Sequence, residues 1–140
     1  MNPLVEINNL VKYFDLGQGQ IVHAVDNVSL QIHSKEVVGL VGESGSGKST
    51  LGKAVLGLHN KTSGNVTYAG ELLPQKYRSR DFQKHAKTMQ MIFQDPYSSL
   101  NPRMTVGEII GEGLKLNKAL SASEINQRVA HWLTLVGLSA

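Results

Sequence analysis

The stretch Val37-Val38-Gly39-Leu40-Val41-Gly42-Glu43-Ser44-Gly45-Ser46-Gly47-Lys48-Ser49-Thr50 decides how the rest of the chain is read. Its first five residues are a short apolar run, which predicts a fully buried strand. A loop rich in Gly and Ser follows. Residues 48–58 then place Leu51, Val55 and Leu58 at helical spacing. Strand, glycine loop and helix in that order are the context in which the pattern G-x-x-x-x-G-K-[ST], met by residues 42–49, folds into a phosphate-binding loop. A Gly-rich turn that happens to precede a helix is the competing reading, and the flanking elements on both sides weigh against it.

Each position of the loop has a physical task. Gly42, Gly45 and Gly47 let the backbone take angles that a Cβ would block and approach an anion closely. Successive N–H groups across Gly42, Glu43, Ser44, Gly45, Ser46 and Gly47 line one concavity. The helix that starts near Gly47 adds the positive end of its dipole to the same place. Lys48 supplies a point charge for β- and γ-phosphates. The Ser49 hydroxyl is an oxygen ligand suited to Mg²⁺, and Thr50 is a donor to a further phosphate oxygen. ATP and Mg²⁺ are the cofactors that this set predicts.

Upstream, residues 4–14 and 21–32 read as strands, with a turn at Gly17-Gln18-Gly19 and a break near Asp26-Asn27. Downstream, Ser63-Gly64 begins a turn and residues 66–70 a short strand. A short helix is expected near Asp81–His85. Residues 88–93 look like a second buried strand ending at Gln94, and residues 95–103 form a loop with two Pro. Helices are expected over 105–116 and 123–136, the second capped by Ser121 or Ser123 with Glu124 in its first turn. His59 closes the P-loop helix, where a cation suits the dipole. The order of elements predicts a mixed α/β protein.

A side-chain amide at a strand's carboxyl end, as Gln94 is expected to be, sits where α/β sheets place ligands. It is suited to holding Mg²⁺ or an attacking water. From spacing alone, a loop amide capping its own backbone explains it as well.

Composition narrows the function classes. A net charge of +3 and one short basic cluster at residues 76–80 do not make the clustered basic face of a nucleic-acid reader, so no nucleic-acid partner is expected. With no Cys, disulfides and thiolate metal sites are excluded. Residues 1–10 lack the basic start of a signal peptide, and no run approaches the ~18 apolar residues of a membrane span. Work at a membrane would therefore go through a docking partner.

The phosphate loop and the Gln94 segment together resemble the ATP-binding subunit of an ABC transporter. Met91–Val106 (MIFQDPYSSLNPRMTV) closely resembles the Q-loop region of the oligopeptide/dipeptide importer ATPases. Val38–Thr50 (VGLVGESGSGKST) is similar to that group's Walker A region, and Ala24-Val25-Asp26-Asn27-Val28-Ser29-Leu30 matches the strand that precedes it. The resemblance covers nearly the whole chain.

It implies an α/β P-loop NTPase fold with an N-terminal antiparallel β region and the start of an α-helical subdomain. The expected division is 1–94 for the P-loop core and 95–140 for the Q-loop and helical part. Phe14, with Tyr13 beside it, falls where an aromatic stacks on adenine. Lys48 and Gln94 take the catalytic positions. Gln94 contacts Mg²⁺ and links nucleotide state to the membrane subunit. The helical surface receives the permease, and Trp132 and Leu135 face that subdomain's own core. The implied working form is a sandwich of two ATPase subunits, a homo- or heterodimer, lying peripherally on the cytoplasmic face of the inner membrane. It couples ATP hydrolysis to uptake of peptides or a related small solute.

The family pattern continues into an LSGGQ-like signature segment, the Walker B strand and the H-loop histidine. None of these is in this sequence, whose His residues are His23, His33, His59, His85 and His131. No residue is positioned as a general base, and phosphoryl transfer needs several parts at once. These 140 residues are therefore expected not to hydrolyse ATP alone, and a non-catalytic nucleotide-binding fragment is the alternative reading. Another P-loop class, such as a small kinase, conflicts with the Gln94 segment. A P-loop strand without its Walker B neighbour would leave an unpaired edge. That predicts marginal stability and a tendency to aggregate, against which a cooperative, monomeric melt would count.

Overall fold

The computed structural model describes residues 2–95, 100–115 and 120–139. It comprises two compact units, Met1–Met91 and Ile92–Ala140.

The first unit is organised by a long hairpin. Strands β1 (Val5–Gly17) and β2 (Gln20–Ile32) pair antiparallel. The expected turn forms, with Gln18 at φ 53° and Gly19 at φ 77°. Two consecutive positive φ values give the turn hand that matches the twist of the flanking strands. The other edge of β1 pairs with β3 (Ser63–Tyr68). A second tight turn at Ala69-Gly70, again with both φ positive, leads into the short β4 (Glu71–Leu72). The sheet order is β2-β1-β3-β4. Between β2 and β3 lies α1 (Lys48–Val55), and α2 (Ser79–His85) follows β4.

Apolar residues of the sheet and of α1 meet in one core. Ile7, Leu10, Val25 and Val66 come from the strands, Leu51 and Ala54 from one face of α1, and Leu73 and Tyr77 close it. Leu51 and Ala54 are three apart, which is the spacing of one helix face.

The hairpin is not regular. Its register passes from Ile7↔Leu30 to Leu10↔Val28 around Asn9 and Asn27, both at positive φ, and the Asn9 side chain donates through Nδ2 to Asn27 Oδ1 at 2.8 Å. The break expected near Asp26-Asn27 is thus a bulge inside a continuous strand. A later step, from Lys12↔Val25 to Tyr13↔His23, leaves Ala24 as an extra residue on β2.

Two expectations fail in the same way. Residues 37–41 and 88–93 are not strands. Val37 and Val41 are 97% and 94% exposed, and Ile92 is 98% exposed. Thr88 and Met89 instead donate their N–H groups back to His85 O, prolonging the turn after α2. An apolar run records that a segment is made to be covered. It becomes a strand only when a ladder partner lies beside it, and the described residues of this sheet supply none.

The second unit holds α3 (Val106–Lys115) and α4 (Ala122–Leu135). Gly107 and Gly111 lie against Val129 and Ile125, where an added Cβ would find side chains at 3.6–3.7 Å. The glycines let the helices approach closely. Ser121 is the N-cap: its Oγ accepts from Glu124 N–H while the Glu124 carboxylate accepts from Ser121 N–H at 2.8 Å. Ser123 lies inside the helix. Trp132 and Leu135 are exposed, contrary to the expectation that they face a subdomain core.

Candidate phosphate-binding site

The loop between Val41 and α1 is built by glycine geometry. Gly45 and Gly47 have φ of 82° and 90°, where a side chain is strained. Gly47 is the N-cap of α1 and sits against the bulge in β2: a Cβ there would meet Ala24 O at 2.0 Å. Across the loop, a Cβ on Gly42 would meet Ser46 Oγ at 2.7 Å. The loop therefore docks on β2 only with hydrogen at Gly47, whereas at Gly42 a side chain would displace the Ser46 hydroxyl that closes the loop.

Lys48 spans this closed loop. Its ammonium donates to Gly42 O at 2.7 Å, Glu43 O at 2.6 Å and Ser46 Oγ at 3.2 Å. All three donors of the group are thus engaged. Leu51 N–H makes the first backbone bond of α1, to Gly47 O at 2.8 Å. The amides of Lys48, Ser49 and Thr50 precede it and have no i−4 acceptor within the helix. The Ser49 side chain is exposed in this first turn, and Thr50 is half-buried. The expected phosphate-loop residues are brought together in one place.

A cavity of about 420 Å³ opens beside the loop, lined by Gly42, Ser46, Gly47 and Lys48 on one side and by His23, Ala24 and Asp26 of β2 on the other. That volume lies within the roughly 300–1,000 Å³ usual for small-molecule sites. Of these β2 residues, Ala24 and Asp26 entered the sequence reading only through the family resemblance, and His23 did not stand out. Their place depends on the register beyond the Ala24 bulge, which no spacing rule reveals.

Phe14 is half-buried and lies outside this lining. Its ring meets the His59 ring edge-on at 5.2 Å, and Lys12 Nζ lies over it at 4.5 Å from the centroid. Protonation of His59 is disfavoured, first by burial and then by the charges of Lys53 and Lys12. The helix-terminal cation is consequently Lys53, in the last turn of α1, rather than His59. Gln94 is an exposed residue at a bend in the second unit. Of the Q-loop stretch that follows it, residues 96–99 lie outside the described residues.

Comparison with known proteins agrees with this geometry. The model of the family described as ABC transporter matches residues 25–140. The chain belongs to the ABC transporter family. Among similar proteins, the oligopeptide transport ATP-binding protein OppF of Lactococcus lactis is 43% identical over 99% of the chain. OppF of Bacillus subtilis is 46% identical over 97% of it. The chain spans 45% of the length of each of these relatives. A solved structure of the dimeric ATP-binding cassette MJ0796, in a post-hydrolysis state with ADP and Pi, superposes with a TM-score of 0.79 at 27% identity. It covers 96% of this ABC chain and 58% of the cassette. The fold is that of an ABC cassette, represented among the described residues by its antiparallel sheet, P-loop helix and three further helices.

Proposed function

We propose that this chain binds Mg-ATP at residues 42–50 and serves as part of the ATP-binding subunit of an importer for peptides or a related small solute. The observation that carries the reading is the closed loop with Lys48 held at its mouth by Gly42 O and Glu43 O. Two carbonyl oxygens hold the ammonium where a phosphate oxygen, carrying full negative charge, would compete for the same donors. The free amides at the start of α1 add to the same anion cradle. Close packing across Gly42 and Gly47 fits a backbone that must approach a phosphate without side chains in the way.

Within this reading Lys48 and Gln94 hold the catalytic positions, and Ser49 and Gln94 offer oxygen to Mg²⁺. Phe14 offers an aromatic face to the base. Residues 1–94 act as the nucleotide core and 95–140 as the permease-facing part. The partners are a second ATPase subunit and membrane-spanning permease subunits, and the protein lies on the cytoplasmic face of the inner membrane. Among the described residues no helix is long and apolar enough to cross a membrane.

A second reading, a nucleotide-binding fragment without hydrolysis, is favoured by the share of the relatives that the chain spans. One experiment separates the two. Mg-ATP binding and hydrolysis are measured for the purified chain and for Lys48→Ala. Binding that weakens at least roughly tenfold in the variant, without turnover in either protein, supports the second reading. Turnover that depends on Lys48 supports the first. Equal binding by both proteins would remove the P-loop as the site.

A further inference from the structure

We propose that Lys76, Arg78, Arg80, Lys84 and Lys87, on and around α2, form a cationic face that rests directly on the anionic headgroups of a lipid surface. This goes beyond the nucleotide reading and does not depend on it.

The charge of the chain is unevenly placed. Five of its 14 Lys and Arg and two of its 11 Asp and Glu lie within residues 71–87. That segment therefore carries +3, the net charge of the whole chain, and the remainder, with nine of each sign, is neutral. The basic cluster at residues 76–80 is one end of a longer array.

The fold turns this array outward. Arg80, Lys84 and Lys87 are spaced i, i+4, i+7, the stripe of one helix face. The turn continues past His85, with Ala86 still in the helical conformation. The opposite side holds His85, which is buried and whose ring lies 6.1 Å from Tyr77 and 6.3 Å from Tyr68. α2 is thus pinned to the core by one side, and all five basic residues are exposed.

Neighbouring carboxylates do not cancel the array. Lys84 donates to Glu71 of β4, and Arg80 Nε lies 3.8 Å from Asp81 Oδ1. Asp81 also accepts Arg78 N–H at 2.8 Å. Among the described residues no carboxylate pairs with the side chains of Lys76, Arg78 or Lys87.

A flat, diffuse partner fits this face. The five residues line neither the P-loop cavity nor a smaller hollow of about 240 Å³ beside Pro3 and Gly70. The array therefore reads density of charge rather than the shape of one small anion. Arrays of roughly four to eight basic residues are what anionic leaflets attract. Leu72 and Phe82, exposed in the same segment, add apolar tips that the headgroup boundary accepts and a soluble acidic polypeptide would leave in water. The Lys and Arg stems can lie along that boundary with their charges at the phosphates.

The test is sedimentation of the full chain with vesicles, one set of phosphatidylcholine alone and one with an equal part of phosphatidylglycerol. Binding is expected to the mixed vesicles only, and to weaken at least roughly tenfold between about 0.05 and 0.5 M salt as screening shortens the reach of charge. Combining Lys76→Gln, Arg80→Gln and Lys87→Gln should weaken it roughly hundredfold, at about fivefold for each basic residue. Combining Lys35→Gln, Lys115→Gln and Arg128→Gln removes the same charge elsewhere and should change it less than about threefold. If the first combination alters the circular dichroism spectrum, single Lys76→Gln and Lys87→Gln replace it, each with the loss of about fivefold. Equal losses in the two combinations would overturn the proposal, because net charge and not a face would be responsible. Equal binding to phosphatidylcholine alone would overturn it as well. So would failure to bind the mixed vesicles, and a chain that then bound soluble polyglutamate would have an acidic polypeptide as its partner. Mg-ATP binding is expected to be unchanged in the first combination, so the nucleotide reading stands or falls separately.

Discussion

Replacing Gly47 by Ala isolates the contact between the P-loop and the β2 bulge. Two costs act there. An L side chain at φ 90° costs roughly 1–2 kcal/mol. The added Cβ also lands 2.0 Å from Ala24 O, and a backbone carbonyl cannot swing aside as a side-chain tip would. Relief requires the loop to lift from the bulge, at about 1–3 kcal/mol if such overpacking costs what it does in other cores. The sum is roughly 2–5 kcal/mol. Gly45→Ala is the internal control: its φ is 82°, but nothing lies within 4 Å of the new Cβ. It should carry only the first cost. For a unit of this size each kcal/mol lowers Tm by about 4–8 °C. Circular dichroism melts at low protein concentration should therefore show Gly47→Ala melting at least about 4 °C below Gly45→Ala, and Mg-ATP binding lost in the former. Equal melting temperatures would refute the argument, because they would mean that the loop is not seated on Ala24.

Two further predictions concern the caps and pH. Ser121→Ala removes the acceptor for Glu124 N–H and should cost about 1 kcal/mol. Amide exchange should quicken several-fold in α4 while the amides of β1 and β3 keep their rates, and unchanged exchange in α4 would count against the capping box. For His59 the folded pKa lies below its ordinary value of 6.5, so the unfolded chain binds the proton more readily. Stability is fully present above pH 6.5 and falls as pH drops through 6.5 toward the folded value. His59→Gln should flatten that decline relative to the parent in paired melts at pH 7.5 and 5.5. Parallel slopes would show that the burial of His59 has no weight.

What the sequence disclosed, and what it hid, divides by range. Turns and caps are short-range: Gln18-Gly19, Ser121 with Glu124, and the glycines of residues 42–47 each act through neighbours a few positions away. They were legible. Strand status at 37–41 and 88–93 is long-range, because it belongs to a pair. The pattern Val37-Val38-Gly39-Leu40-Val41 states a demand for cover that the described residues do not meet. Trp132 misled for the same reason: an aromatic at helical spacing says that something should face it, not what. The His23–Asp26 side of the cavity was illegible for a third reason. Two register steps separate Leu10 from Tyr13 along the hairpin, and a count from either end gives the wrong partner once an extra residue has been inserted.

The hairpin also bears on the order of folding. Tyr13 and His23 are joined by a tight turn, and hairpins of this kind form in about 1–10 μs. Chain synthesis adds only about 5–20 residues per second. The ribbon that carries the cavity wall is therefore sampled long before residues 42–50 exist. A lone two-stranded ribbon is marginal in water, and β1 gains its third strand only when β3, beyond the loop, has been made. The interval between those two events is when the loop meets its seat. A change that slowed the turn at Gln18-Gly19 even a thousandfold would therefore leave the assembly of the loop site, more than twenty residues downstream, on schedule.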